Sequence, residues 1–316
     1  MFLKKYKITY KLYNFFKKNE LSHNLPFYEK YGLKKKYYSS VSSLDFQGVD
    51  SPLNLLDKNN SREELPKHSE FNLVDERFKE SLLSWSDNGY AILDNFFEND
   101  EIDSFNKEID DLLDSKKAKF NAANKIMFAI HSSEKLKNAG NNEQIMRILN
   151  LLMGKKISLF QSINFIEGSQ QRTHSDSIHM TTFPYGNLIA IWVALEDIDE
   201  NCGPLHYYPG SHKLPYIMND DYENVGTKYK LGNKSYSAYE DQVEKVLSET
   251  DLHKKTFTAK KGDVLIWHAN LLHGGNKVIE EGSTRKSMVF HYYTDDAICY
   301  HEITQRPTLK PKKILA

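Results

Sequence analysis

His174-Ser175-Asp176 sets an imidazole and a carboxylate at i and i+2, so on an extended segment both side chains leave one face of a sheet and can clasp a single ion. A second histidine from a distant strand would complete a facial set of two histidines and one carboxylate, which leaves adjacent coordination positions open for a cosubstrate and dioxygen. His273, in Leu271-Leu272-His273-Gly274-Gly275, is the candidate. A His-x-Asp step alone is weak, because it arises by chance about once in a chain of this composition. His68-Ser69-Glu70 lies in a polar stretch where no sheet orients it, and His131-Ser132-Ser133-Glu134 is discounted in the same way.

The company of His174 and Asp176 raises them above chance. Gly203-Pro204-Leu205-His206-Tyr207-Tyr208-Pro209-Gly210-Ser211-His212-Lys213 follows an apolar run, Lys261-Gly262-Asp263-Val264-Leu265-Ile266-Trp267-His268 leads into His273, and Arg285-Lys286-Ser287 opens the last long run. As an ordered set over roughly residues 75 to 300, these motifs resemble the phytanoyl-CoA dioxygenase family of iron(II)- and 2-oxoglutarate-dependent oxygenases. The resemblance implies a double-stranded β-helix, a jelly-roll or cupin-like core, with His174, Asp176 and His273 as catalytic metal ligands. It further implies that Arg285, twelve residues past His273, pairs with the distal carboxylate of 2-oxoglutarate, a role suited to a planar guanidinium fork.

Ser287 shares the strand face of Arg285 and is a candidate second donor to the cosubstrate. Trp192 matches a cosubstrate-pocket tryptophan of the family, and Lys125 a cosubstrate-contacting lysine. Two departures stand out. Some members carry a serine two residues after the distal histidine, where this chain has Gly275, and residue 175 is Ser rather than the frequent Gln. Asp176 itself favours oxygen insertion over halogenation, for which relatives replace the carboxylate. The reaction so implied consumes O2 and 2-oxoglutarate, releases succinate and CO2, and hydroxylates a small or carrier-linked organic substrate.

His179, Met180 and Tyr185 follow the metal motif and are expected substrate contacts, although Met and Tyr there can equally fill core. His291 falls on the Arg285 face, where a pocket role and a satisfied core histidine are both open. His206 and His212, in a Pro/Gly turn, read as structural. His268 reads as a strand-end residue and Asp263 as the maker of the turn after Gly262. Residues 216–254, polar and placed between two motif elements, are expected to form a lid, with an inert surface loop as the alternative.

The elements that must position these residues are legible in part. Phe78, Leu82, Leu83 and Trp85 have helical spacing closed by Gly89, and a strand over 90–93 should follow. Ile102, Phe105, Ile109, Leu112 and Leu113 mark a second helix behind an Asn99-Asp100 cap, and 144–153 a third. Strands are expected at 157–166, 187–196, 255–259, 263–268 and 285–293. In 187–196 both faces are apolar, as a buried sheet requires. Helices followed by many strands imply an α+β domain, mainly β in its core, with flanking N-terminal helices.

The expected organisation is a basic, aromatic segment and polar linker over 1–70, of which 41–70 reads as a linker or a surface wrap, then the oxygenase domain over 71–303, and a basic tail over 304–316. Ten lysines against Glu20 and Glu29 in residues 1–40 suggest a helix packing its aromatic side on the body with lysines in water. Peripheral contact with an anionic membrane is the alternative. A net charge of -1 argues against a nucleic-acid binder, and two cysteines are too few for a disulfide framework or a thiolate metal site. With no signal peptide or spanning segment in view, a cytoplasmic enzyme is expected. A catalytically silent jelly-roll binding protein and a cupin-like metal-dependent isomerase are the competing functions.

Overall fold

The computed structural model describes residues 5–310. Twelve strands follow in chain order: β1 (Tyr90–Leu93), β2 (Lys125–Met127), β3 (Ile157–Phe165), β4 (Thr181–Phe183), β5 (Leu188–Ala194), β6 (Leu205–Tyr207), β7 (Lys255–Phe257), β8 (Val264–His268), β9 (His273–Gly275), β10 (Ser287–Thr294), β11 (Ile298–His301) and β12 (Arg306–Pro307). They form a six-stranded sheet, β1-β8-β5-β10-β3-β2, and two three-stranded sheets, β12-β11-β4 and β7-β6-β9. All pairings are antiparallel.

The alternation of β5 explains the layering. Ile189, Ile191 and Val193 join Val264, Ile266, Met288 and Phe290 in a core shared with the helices Glu76–Leu83, Asn99–Asp114 and Glu143–Met153. Ala190, Trp192 and Ala194 instead join Leu205, Tyr207, Phe257, Leu265 and Val289 between the large sheet and the β7-β6-β9 sheet. Every residue of β5 is buried, which accounts for its lack of a polar face. Helices thus cover one face of the large sheet, and a second sheet covers the other.

Several boundaries differ from the sequence reading for local reasons. The first helix is two pieces, Glu76–Leu83 capped by the Asp75 side chain and Trp85–Asn88 ended by Gly89 at φ 73°. The Asn99–Asp114 helix is capped by Glu98 in a reciprocal box with Glu101, not by Asn99. Of the two readings of residues 41–70, the surface wrap holds and the free linker does not: Val41, Phe46, Leu56 and Leu65 are buried along a series of short helical turns. Such widely spaced anchors leave no periodicity to read.

The N-terminal helix Lys7–Phe16 meets the simpler expectation for residues 1–40 only in part, since Tyr10 and Tyr13 lie against Arg306 but other apolar residues do not pack on the body. Its buried residue is Asn14, while Ile8, Leu12, Phe15 and Phe16 are exposed. At the other end, 304–310 form β12 and a wall of the central cavity rather than a loose tail, and Lys312 and Lys313 lie outside the described residues.

Candidate metal and cosubstrate site

His174 and His273 face each other across a two-way backbone bridge, His174 N–H to the His273 carbonyl at 2.8 Å and the reverse at 2.9 Å. Ser175 continues extended at φ −111° and ψ 143°, after which Asp176 starts a short helical turn. The i, i+2 alternation therefore holds as far as it is needed. The ligand-capable atoms of His174, Asp176 and His273 all lie within 4.8 Å of one another, and all three residues are buried.

The tautomers are fixed by the backbone. His174 Nδ1 donates to the Arg172 carbonyl at 3.0 Å and His273 Nδ1 to the Leu271 carbonyl at 2.9 Å, so each ring presents an unprotonated Nε2 toward Asp176. Burial depresses the His174 pKa well below the ordinary histidine value, which keeps the ring a neutral donor. Burial alone would raise the Asp176 carboxyl, but His273 and His291 hold it below the usual carboxylate range. Its Oδ2 accepts from the Trp267 indole at 2.8 Å and lies 3.3 Å from His291 Nε2. Its Oδ1 is turned to His273, 3.9 Å away.

These residues open onto a cavity of about 820 Å³. Arg285 lines it, 2% exposed, with its Nε lacking a hydrogen-bond partner and, among the described residues, no ion pair. Burial pushes its guanidinium down to about 10, still charged at neutral pH. Its Cζ lies 5.3 Å from the ring centre of Phe165, and Lys125 Nζ sits 5.2 Å from the same centre. Lys125 donates to Gln171 Oε1 at 2.9 Å, and burial lowers its pKa. Trp192 adds a buried indole N–H without a partner. Two cations and an orphaned donor in one buried cavity call for an anion of at least one carboxylate.

The other sequence candidates divide. His179, Met180 and His291 line the cavity. Tyr185 does not: beyond β4 the chain turns it against Phe183 and into a stack with Tyr216, ring centres 5.1 Å apart. Ser287 is fully buried outside the cavity wall, and its hydroxyl donates to the Arg285 carbonyl at 3.4 Å. A Cβ at Gly275 would sit 2.6 Å from Ser169 Oγ, so a cavity-lining serine already fills the space that a residue 275 side chain would take.

No residue of 216–254 lines the cavity. Its helix Tyr236–Ser248 packs behind the metal loop instead: Ser175 N–H donates to Tyr239 Oη at 3.0 Å, His179 Nε2 lies 3.0 Å from Tyr236 Oη, and Arg172 pairs with Asp241 and Glu244. Gln171, Trp267, Tyr236 and Tyr239 were missed as site residues. Only Trp267 carried a signal, since it belongs to the run leading into His273.

The phytanoyl-CoA dioxygenase (PhyH) family profile matches residues 85–286, which contain His174, Asp176, His273, Arg285, Lys125 and Trp192, whereas His291 and the 304–310 wall lie beyond it. The chain belongs to the phytanoyl-CoA dioxygenase family. Among curated relatives it is similar to peroxisomal phytanoyl-CoA dioxygenase of Rattus norvegicus, 33% identical over 130 residues, 40% of this chain and 35% of that one. Phytanoyl-CoA dioxygenase domain-containing protein 1 of Danio rerio is 27% identical over 158 residues, 48% of this chain and 50% of that one. The matches thus span no more than half the length of these relatives.

Solved structures agree on fold for this member of the phytanoyl-CoA dioxygenase family. The non-heme alpha-ketoglutarate-dependent carbocyclase SnoK from nogalamycin biosynthesis superposes with a TM-score of 0.58 at 17% identity, covering 70% of this chain and 85% of that one. The epimerase SnoN in complex with Fe3+, alpha-ketoglutarate and nogalamycin RO gives 0.53 at 18%, covering 75% and 87%. EctD from S. alaskensis with 2-oxoglutarate and 5-hydroxyectoine gives 0.51 at 19%, covering 67% and 74%.

Proposed function

We propose that the chain is an iron(II)- and 2-oxoglutarate-dependent dioxygenase that hydroxylates a small or carrier-linked organic substrate within a double-stranded β-helix. The observation that carries this reading is the pairing, in one cavity, of a three-ligand cluster with a buried guanidinium that has no carboxylate partner among the described residues. His174, Asp176 and His273 would hold the iron, and Arg285 the distal carboxylate of 2-oxoglutarate. With O2 these groups supply oxidation of a substrate C–H bond, releasing succinate and CO2.

The chain's own contribution is binding, orientation and exclusion of water. Trp267 and His291 engage Oδ2 of Asp176 and thereby aim Oδ1 inward. Lys125 and Trp192 complete the anion-binding end. Tyr236 and Tyr239 brace the metal loop from behind, which makes 216–254 a buttress in this reading and not a lid.

Beyond the cosubstrate end, the cavity walls include Phe128, Phe160, Met180, His179 and His301. Burial pushes His179 down to about 4 and His301 down to about 3, so both imidazoles are neutral at physiological pH. Such walls suit a substrate with a substantial apolar portion. The test is calorimetric titration of 2-oxoglutarate into manganese-loaded protein without oxygen: binding that weakens strongly in Arg285→Ala supports the assignment, and no binding by the wild type overturns it.

A further inference from the structure

We propose that the exposed face of the Lys7–Phe16 helix docks on an anionic lipid surface and sets the mouth of the cavity beside the headgroups. On a helix at 100° per residue, Phe15, Ile8, Leu12 and Phe16 fall in sequence around one stripe. They are 45%, 62%, 60% and 78% exposed. Phe15 meets Tyr38 edge-on, with ring centres 5.7 Å apart, yet all four large apolar side chains remain largely in water and form an apolar patch.

The placement is held from behind. Asn14 Nδ2 donates to the Tyr38 carbonyl at 3.1 Å, and backbone bonds from Lys7 to Tyr229 and from Leu231 to Lys5 tie the helix start to the 216–254 insertion. Tyr10 and Tyr13 lie away from the stripe and sandwich Arg306, at 5.4 and 5.6 Å. Arg306 in turn lines the cavity, together with Glu20 and Leu309. One side of the helix therefore faces solvent while the other packs on Arg306, a residue of the cavity wall.

Charge selects the occupant. Residues 1–40 carry ten lysines against Glu20 and Glu29. Glu20 is paired with Lys17, whereas among the described residues Lys5, Lys11, Lys18, Lys30, Lys34 and Lys36 form no ion pair. An apolar stripe on a lysine-rich segment, with Lys18 Nζ 5.3 Å from the Phe15 ring, matches the boundary between acyl chains and anionic headgroups. No helix among the described residues is long and apolar enough to cross a membrane, so the contact is one of lying on the surface.

Co-sedimentation of the full chain with phosphatidylcholine vesicles, with and without about 30% phosphatidylserine, tests this. The wild type is expected to pellet with the anionic vesicles, to be released by salt, and to lose affinity about tenfold in Leu12→Glu and again in Phe16→Glu. Both positions are exposed, and unchanged thermal melting verifies the fold of the variants. Wild-type protein that ignores anionic vesicles overturns the proposal, as do variants that bind equally well. A concentration-dependent dimer dissolved by the same substitutions would also overturn it, assigning the stripe to a second copy of the chain. The readout is lipid binding, so it stands apart from any failure of the oxygenase reading.

Discussion

The Trp267 indole donates to Asp176 Oδ2 at 2.8 Å, from a strand residue to the carboxylate that must turn its other oxygen to a metal. Both residues are buried, so the bond is unscreened and the carboxylate rotamer is fixed before any ion arrives. Trp267→Phe keeps most of the ring volume but removes the donor. Iron(II) affinity is expected to fall about tenfold to a hundredfold, measured by competition with a chelator, with little change in the melting temperature.

Arg285→Ala removes a buried cation that pairs with no carboxylate among the described residues. The cost should fall on the cosubstrate: about 2 kcal/mol or more, roughly thirtyfold in Kd for 2-oxoglutarate. Metal binding should persist, since Arg285 is not one of the clustered ligands. Parallel titrations of metal and cosubstrate separate the two effects.

Gly275→Ala introduces a Cβ that would lie 2.6 Å from Ser169 Oγ and 2.9 Å from the Gln170 backbone nitrogen. A loss of about 1–3 kcal/mol is expected from such overpacking, read by denaturant unfolding. Adding Ser169→Gly should return only part of it, because the Gln170 amide remains in place.

Burial pushes His23 down to about 4 and His212 down to about 3, both below the ordinary 6.5. In the unfolded chain these rings take up protons first, so between pH 6.5 and those values the unfolded state binds more protons and stability falls as pH falls. Each ring contributes a slope of at most about 1.4 kcal/mol per pH unit across its window and nothing above it. Urea titrations at pH 7 and pH 5 should show the loss, and His23→Gln should lessen it.

Motif order carried the sequence reading where chemistry depends on residue type. His174, Asp176 and His273 come together as strand alternation and a distant partner segment allow, and Arg285 lines the same cavity, a placement that only the family resemblance implied. Asp263 accepts from the Asn95 and Lys260 N–H groups and so holds the turn expected of it. Three-residue strands such as β4, β6 and β9 were not legible, since so few residues give no periodicity. Tyr185 was misplaced for a related reason: proximity in sequence to Asp176 does not survive the turn after β4. The bracing by Tyr236 and Tyr239 rests on tertiary contacts across 57 and 64 residues, which no local pattern encodes.

The central claim, that one cluster of three side chains and one arginine run a 2-oxoglutarate-dependent oxidation, is tested most directly by adding oxygen to protein loaded anaerobically with iron(II) and 2-oxoglutarate and measuring succinate. The account predicts oxygen-dependent succinate above a protein-free control, abolished in Asp176→Ala and strongly reduced in Arg285→Ala at limiting cosubstrate. Iron-loaded wild-type protein that forms no succinate, or an Asp176→Ala variant that forms as much, would contradict it.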